Sequence, residues 1–235
     1  MSRTPLSCFV AFALVFCAAA KAGLLFTGPA GGSGSGIGTA NVILTIQNNS
    51  GTESGCVGWD GSADVIGASA CPSLSPAVSG GNEKNGSSQT QTRTILTTGV
   101  TSAAHLVVLL NVNEPGGNGI DINNVSLTIY SPAGTVLFNS GNLASNPISL
   151  PNSQQGQGNL GYAFVLSAAD AAAAQPFFAN TSNRFGLAAL LSNISGSNET
   201  FSIADATAAG VTPEPSTLAM VGGLLVFVGL VRRKV

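Results

Sequence analysis

The chain has 235 residues and a formal net charge of −2, and only 8% of it is Asp, Glu, Lys or Arg, where an average globular domain carries roughly 25%. Its 44% apolar content excludes disorder by composition, and its length allows one domain of ordinary size or two small ones. Arg3, Lys21, Arg232, Arg233 and Lys234 sit at the two ends, leaving Lys84, Arg93 and Arg184 in the body, while every acidic residue but Glu214 lies between Glu53 and Asp205; an acidic body of this kind has no clustered Lys and Arg to hold phosphates, so no nucleic-acid partner is expected.

The N-terminus opens with Arg3, runs apolar from 6 to 20, and closes on Ala18, Ala19, Ala20, Lys21 and Ala22. A weakly positive start, a short apolar run and an A-x-A site make a secretory signal peptide over 1–22, with cleavage expected after Ala22 by signal peptidase following export through the Sec machinery. Phe16 before Cys17 argues against a lipoprotein signal. Residues 23–40 read as a Gly/Ser-rich lead-in. Their glycine spacing superficially allows a phosphate loop, but such a loop must follow a strand and open a helix, whereas this one precedes the apolar alternation of 41–47.

After removal of the leader, Cys56 and Cys71 remain. An even pair in an exported protein reads as one disulfide; half of a metal site is the competing reading, and it lacks companions. Trp59, three residues past Cys56, either shields that disulfide or offers an aromatic face to a sugar ring, shielding being the simpler role.

Strand signals then recur between turns: 89–98 with alternating threonines, the apolar run 105–111, the alternation of Val125, Leu127 and Ile129, a Ser-Pro-Ala-Gly turn into 135–138, and further runs at 160–166, 185–191 and 200–203. A single short helix is expected at 167–174, with Ser167 as N-cap and Asp170 three residues on, stopped by Pro176. The pattern predicts a mainly β domain over 41–208, an antiparallel β-sandwich of jelly-roll style with one short helix.

Catalytic constellations are missing from the sequence. His105 is the chain's one histidine, and no G-x-S-x-G or H-E-x-x-H motif occurs, so no catalytic residue is assigned and no enzymatic activity is expected. Asn113, Glu114 and Asp121 place hard oxygen donors around a glycine turn. They are candidate calcium ligands, although turns favour the same residue types for backbone reasons; no other cofactor is expected.

The C-terminus carries the sharpest pattern. Pro213-Glu214-Pro215 is followed by Ser216, Thr217, an uncharged apolar run over 218–231, and Arg232, Arg233 and Lys234. As a helix the run is roughly 21 Å long against a hydrocarbon core of about 30 Å, a marginal span whose basic end stays cytoplasmic as a stop-transfer signal. The two prolines hold the preceding backbone extended and open to a processing enzyme. This tail resembles the PEP-CTERM sorting signal, with the motif at 213–215, a transmembrane helix at 216–231 and a basic end at 232–235 within a segment 209–235. The resemblance implies recognition by an exosortase, a membrane cysteine transpeptidase of Gram-negative bacteria that make exopolysaccharide. It further implies an inner-membrane intermediate, cleavage near the motif, and delivery of the body to the cell surface or extracellular matrix. The alternatives are a carbohydrate-binding module of the biofilm matrix, with exopolysaccharide as partner, and a permanently tail-anchored periplasmic protein.

Overall fold

A computed structural model describes residues 23–30, 41–49, 51–86, 88–112, 119–150 and 161–207. The predicted sorting motif, its helix and basic end, the signal peptide, Asn113 and Glu114 lie outside the described residues. Among those described, the strands are β1 (Leu24–Pro29), β2 (Asn41–Gln47), β3 (Gly51–Trp59), β4 (Asp64–Ile66), β5 (Arg93–Thr94), β6 (Leu106–Asn111), β7 (Ile120–Tyr130), β8 (Val136–Asn139), β9 (Ile148–Leu150), β10 (Tyr162–Leu166), β11 (Arg184–Ile194) and β12 (Asn198–Asp205); the α-helices are α1 (Ile95–Thr98) and α2 (Ala168–Ala174).

The strands form two antiparallel sheets. One runs β1-β10-β6-β12-β2; the other runs β4-β3-β11-β7-β8, with β5 also pairing β11 and β9 also pairing β7. The sheets pack face to face in a sandwich-like arrangement, because most of the long strands present an apolar face that must leave water. Leu106, Val108, Leu110, Phe164, Phe201 and Ile203 from the first sheet meet Val57, Leu127, Ile129, Phe185, Leu187 and Leu191 from the second in one core. Phe164, Phe185 and Phe201 are fully buried, each contributing about 1.5–3 kcal/mol of transfer free energy.

Several elements differ from the sequence reading. Residues 89–98 do not form one strand: the chain pairs briefly at Arg93 and Thr94 and then turns into α1. Thr94 is the N-cap, its Oγ1 accepting from the Thr97 amide at 3.1 Å, and this local side-chain bond outweighs the β preference of a threonine-rich segment. The single predicted helix therefore has a companion. It does form, as α2, with the Ser167 hydroxyl accepting from the Asp170 amide at 3.1 Å. The lead-in 23–40 carries a strand at its start, where β1 pairs with β10 from Leu24↔Leu166 to Pro29↔Tyr162.

The segment after β4 folds back over the outer face of the second sheet. Its Cys71, Leu74 and Val78 cover Cys56, Ala188 and Leu190 there, and Cys56–Cys71 form a disulfide with Cα atoms 5.2 Å apart. Backbone donors of the strap also reach the sheet: Ser79 and Gly80 each donate to Ser54 Oγ at 2.9 Å. Asn124 Nδ2 in turn donates to the Pro76 carbonyl at 3.0 Å.

Candidate functional site

The strap stops short of one end of that outer face and leaves a groove of about 360 Å³. Its floor is Gly58, Thr128 and Tyr130, one wall is Ser69 to Pro72 on the strap, and the other is Val136 and Asn139 on β8. The floor is deep because Gly58 and Gly186 have no side chains: a Cβ on either would come within 2.8 Å of the Tyr130 ring or hydroxyl, so the phenol lies flat across both strands.

Trp59 and Asp60 close the end of the groove. The Arg184 guanidinium carbon lies 4.1 Å from the Trp59 ring centroid, a cation–π contact, and the indole N–H donates to the Pro132 carbonyl at 2.9 Å. Arg184 is itself fixed from behind, donating from Nε to Thr92 Oγ1 at 2.7 Å and lying 3.9 Å from Asp64. Cys56 is covered by Val78, Ala188, Leu74 and Leu190, while Trp59 lines the end of the groove that Cys71 also borders.

Polar groups around the groove are pre-set. Asp60 Oδ1 accepts from the amides of Ala63 and Ser62 and from the Ser62 hydroxyl, at 2.8, 2.7 and 2.9 Å; these bonds hold its carboxyl below the ordinary carboxylate range, so it stays ionised. Burial pushes the Tyr130 phenol up despite a bond to Thr128, so it stays neutral. Asn139 donates to Thr128 Oγ1 at 2.7 Å and accepts from the Gly141 amide at 2.8 Å. Asp60 and Tyr130 are the titratable side chains lining the groove, one fixed as an anion and the other as a neutral phenol. That arrangement can orient a polar ligand against an aromatic floor, and its titratable groups form no acid–base pair tuned to exchange protons near neutrality.

The remaining sequence candidates fall elsewhere. Both carboxylate oxygens of Asp121 are engaged, Oδ1 by the Ser149 hydroxyl at 2.6 Å and Oδ2 by the Asn193 amide. Among the described residues no group of three or more His, Cys, Asp and Glu side chains could hold a metal ion. His105 ends a 3-10 turn before β6, with Nδ1 3.9 Å from Asp205 Oδ2. Burial alone would raise the Asp205 carboxyl, but bonds from the Thr207 hydroxyl and amide, with the nearby His105, hold it below its ordinary value; the pair ties β12 to the start of β6 and lines no part of the groove. Of the groove residues, Trp59 was legible as an unusual aromatic. Gly58, Thr128, Tyr130 and Asn139 carry no sequence signal, because only the registers of β11 with β3 and β7, and of β7 with β8, bring them together. Compared with protein-family models, curated proteins and solved structures, the chain has no match.

Proposed function

We propose that this chain is a non-enzymatic exported protein of a Gram-negative envelope, made with a removable leader and a disposable C-terminal sorting tail. The tail parks it in the inner membrane until an exosortase cuts near Pro213-Glu214-Pro215 and passes the body to the cell surface or exopolysaccharide matrix. The observation that carries this reading is the order in the tail: proline-flanked Glu214, a short uncharged apolar run, then Arg232, Arg233 and Lys234. Two features of the body support it. The described strands begin at Leu24 and end at Asp205, so removing 1–22 and 209–235 deletes none of them. The Cys56–Cys71 disulfide suits an oxidising compartment. The body itself is read as a jelly roll: β2-β12-β6-β10 against β3-β11-β7-β8, with β2 to β3, β6 to β7 and β10 to β11 each crossing between sheets, supports that topology. Intact mass of the protein released by its native host tests the proposal: a chain ending near Pro215 is expected, and one retaining Val235 would make the tail a permanent anchor.

A second reading, glycan retention in the matrix, is favoured by the groove at Trp59 and Tyr130, whose volume is at the lower end of ligand-binding clefts. Replacing Trp59 by Ala is expected to weaken retention on the host's exopolysaccharide by about tenfold or more, since aromatic anchors dominate such contacts. A polysaccharide pull-down in which wild type and Trp59→Ala are both unretained would remove this reading and leave the sorting proposal intact.

A further inference from the structure

Removal of the leader changes the chemistry of one buried position. Gly23 is buried, and its backbone nitrogen lies 2.5 Å from Asp170 Oδ2. The contact is reciprocal: the Ser167 amide donates to the Gly23 carbonyl at 3.3 Å, while the Ser167 hydroxyl donates to the same Asp170 oxygen at 2.8 Å. In an ordinary capping box the acidic residue at the third helical position returns to the N-cap amide. Here Gly23 has taken both places, the N-cap amide going to its carbonyl and the carboxylate to its nitrogen. The fit admits only glycine: φ is +123°, and a Cβ would stand 2.1 Å from the Asn142 carbonyl oxygen.

We propose that cleavage between Ala22 and Gly23 converts this hydrogen bond into an ion pair that locks β1 into the sandwich. The inference rests on the leader reading above. Water adds its hydroxyl to the Ala22 carbonyl and the C–N bond breaks under a membrane peptidase. The freed Gly23 amine takes up a proton, which places an α-ammonium against the Asp170 carboxylate. The elements packed around Gly23 are β10, the first turn of α2 and the 142–144 loop. Among the described residues in contact with it, Asp170 is the one charged group; Ser167, Asn142 and Ala144 present a hydroxyl and backbone atoms. Burial of Gly23 by itself lowers an amine's pKa, and a carboxylate in hydrogen-bond contact raises it; the pairing is taken to win by about one unit above the free value near 8. Because the folded value is the higher one, the stabilisation is complete below about pH 8 and disappears as pH rises through the folded value.

The test uses protein exported by the native host, with its N-terminus sequenced first. Folding equilibrium constants are then measured at pH 7 and pH 10.5 for wild type and Asp170→Asn. The wild-type constant is expected to fall about tenfold relative to Asp170→Asn between the two pH values, since a one-unit pKa shift is a factor of ten. A loss of the helix cap alone would shift both curves equally, and parallel curves overturn the proposal. If Asp170→Asn does not fold, acylation of the wild-type α-amine at pH 7 replaces it. Labelling about tenfold slower than for a Gly-Leu-Leu peptide is expected, and labelling at the peptide rate overturns the ion pair. A mature chain starting elsewhere than Gly23 also overturns it, through the cleavage position; a Gly23 start with a normally titrating amine leaves export standing and removes the ion pair alone.

Discussion

Protein carrying Glu214→Ala is expected to accumulate uncut in the membrane fraction, at the mass of a chain that still ends at Val235. Glu214 is the one charged residue between Asp205 and Arg232, so an enzyme reading this stretch has a single ionic handle. Pro213 and Pro215 flank Glu214, and proline lacks an amide donor and disfavours helix at the residue before it. Truncating one partner of a desolvated charge pair costs about 2–5 kcal/mol, and each 1.4 kcal/mol is tenfold; processing should therefore drop by more than tenfold. A chain ending at Thr212 should behave differently, passing to the medium without a membrane intermediate, because the apolar run and its basic stop are gone. Fractionation followed by intact-mass measurement distinguishes the two. Unchanged size and destination in both variants would remove the sorting proposal.

The double variant Cys56→Ser, Cys71→Ser is expected to unfold about 6–12 °C below wild type. The disulfide closes a separation of 15 residues, worth about 3 kcal/mol as a constraint on the unfolded chain, and in a domain of this size each kcal/mol moves Tm by about 2–4 °C. The strap is the part released first, because its remaining attachments are the contacts of Leu74 and Val78 with Ala188 and Leu190 and a few hydrogen bonds to Ser54 and Asn124. Ser69 to Pro72 form a wall of the groove, so wild-type protein held in reductant should lose both the same Tm increment and any glycan retention. Thermal unfolding with and without a thiol reductant checks this; identical midpoints would mean the strap is held by packing alone.

Alternation, apolar runs and turn signals were enough to find β2, β6, β7, β8, β10, β11 and β12. It failed for β3. Gly51-Thr-Glu-Ser-Gly-Cys-Val-Gly-Trp has three glycines and no apolar alternation, since one of its faces meets the core beside β2 and the other lies under the strap. Gly55 illustrates the crowding: a Cβ there would lie 2.2 Å from Ile46. β4 and β9 have three residues each, too few to show any period. β1 was hidden by the glycines that follow it, and α1 by threonines whose β preference yields to a capping bond at Thr94. The groove is a product of register between strands distant in sequence, so only its tryptophan stood out beforehand. The tail lies outside the described residues, and its pattern is local in sequence: two prolines, an apolar run and three basic residues in order.

The pairing of β2 with β12 and of β1 with β10 means that the opening strands wait for the closing ones. Whether the chain emerges from a ribosome or threads through a translocon, β1 and β2 have no partner strand in the first sheet until most of the body has followed. Such long-range closure is slow, and meanwhile a bare strand edge faces its surroundings. The short Cys56–Cys71 loop is the exception: it can form early, as a local foothold laid down before the sandwich shuts.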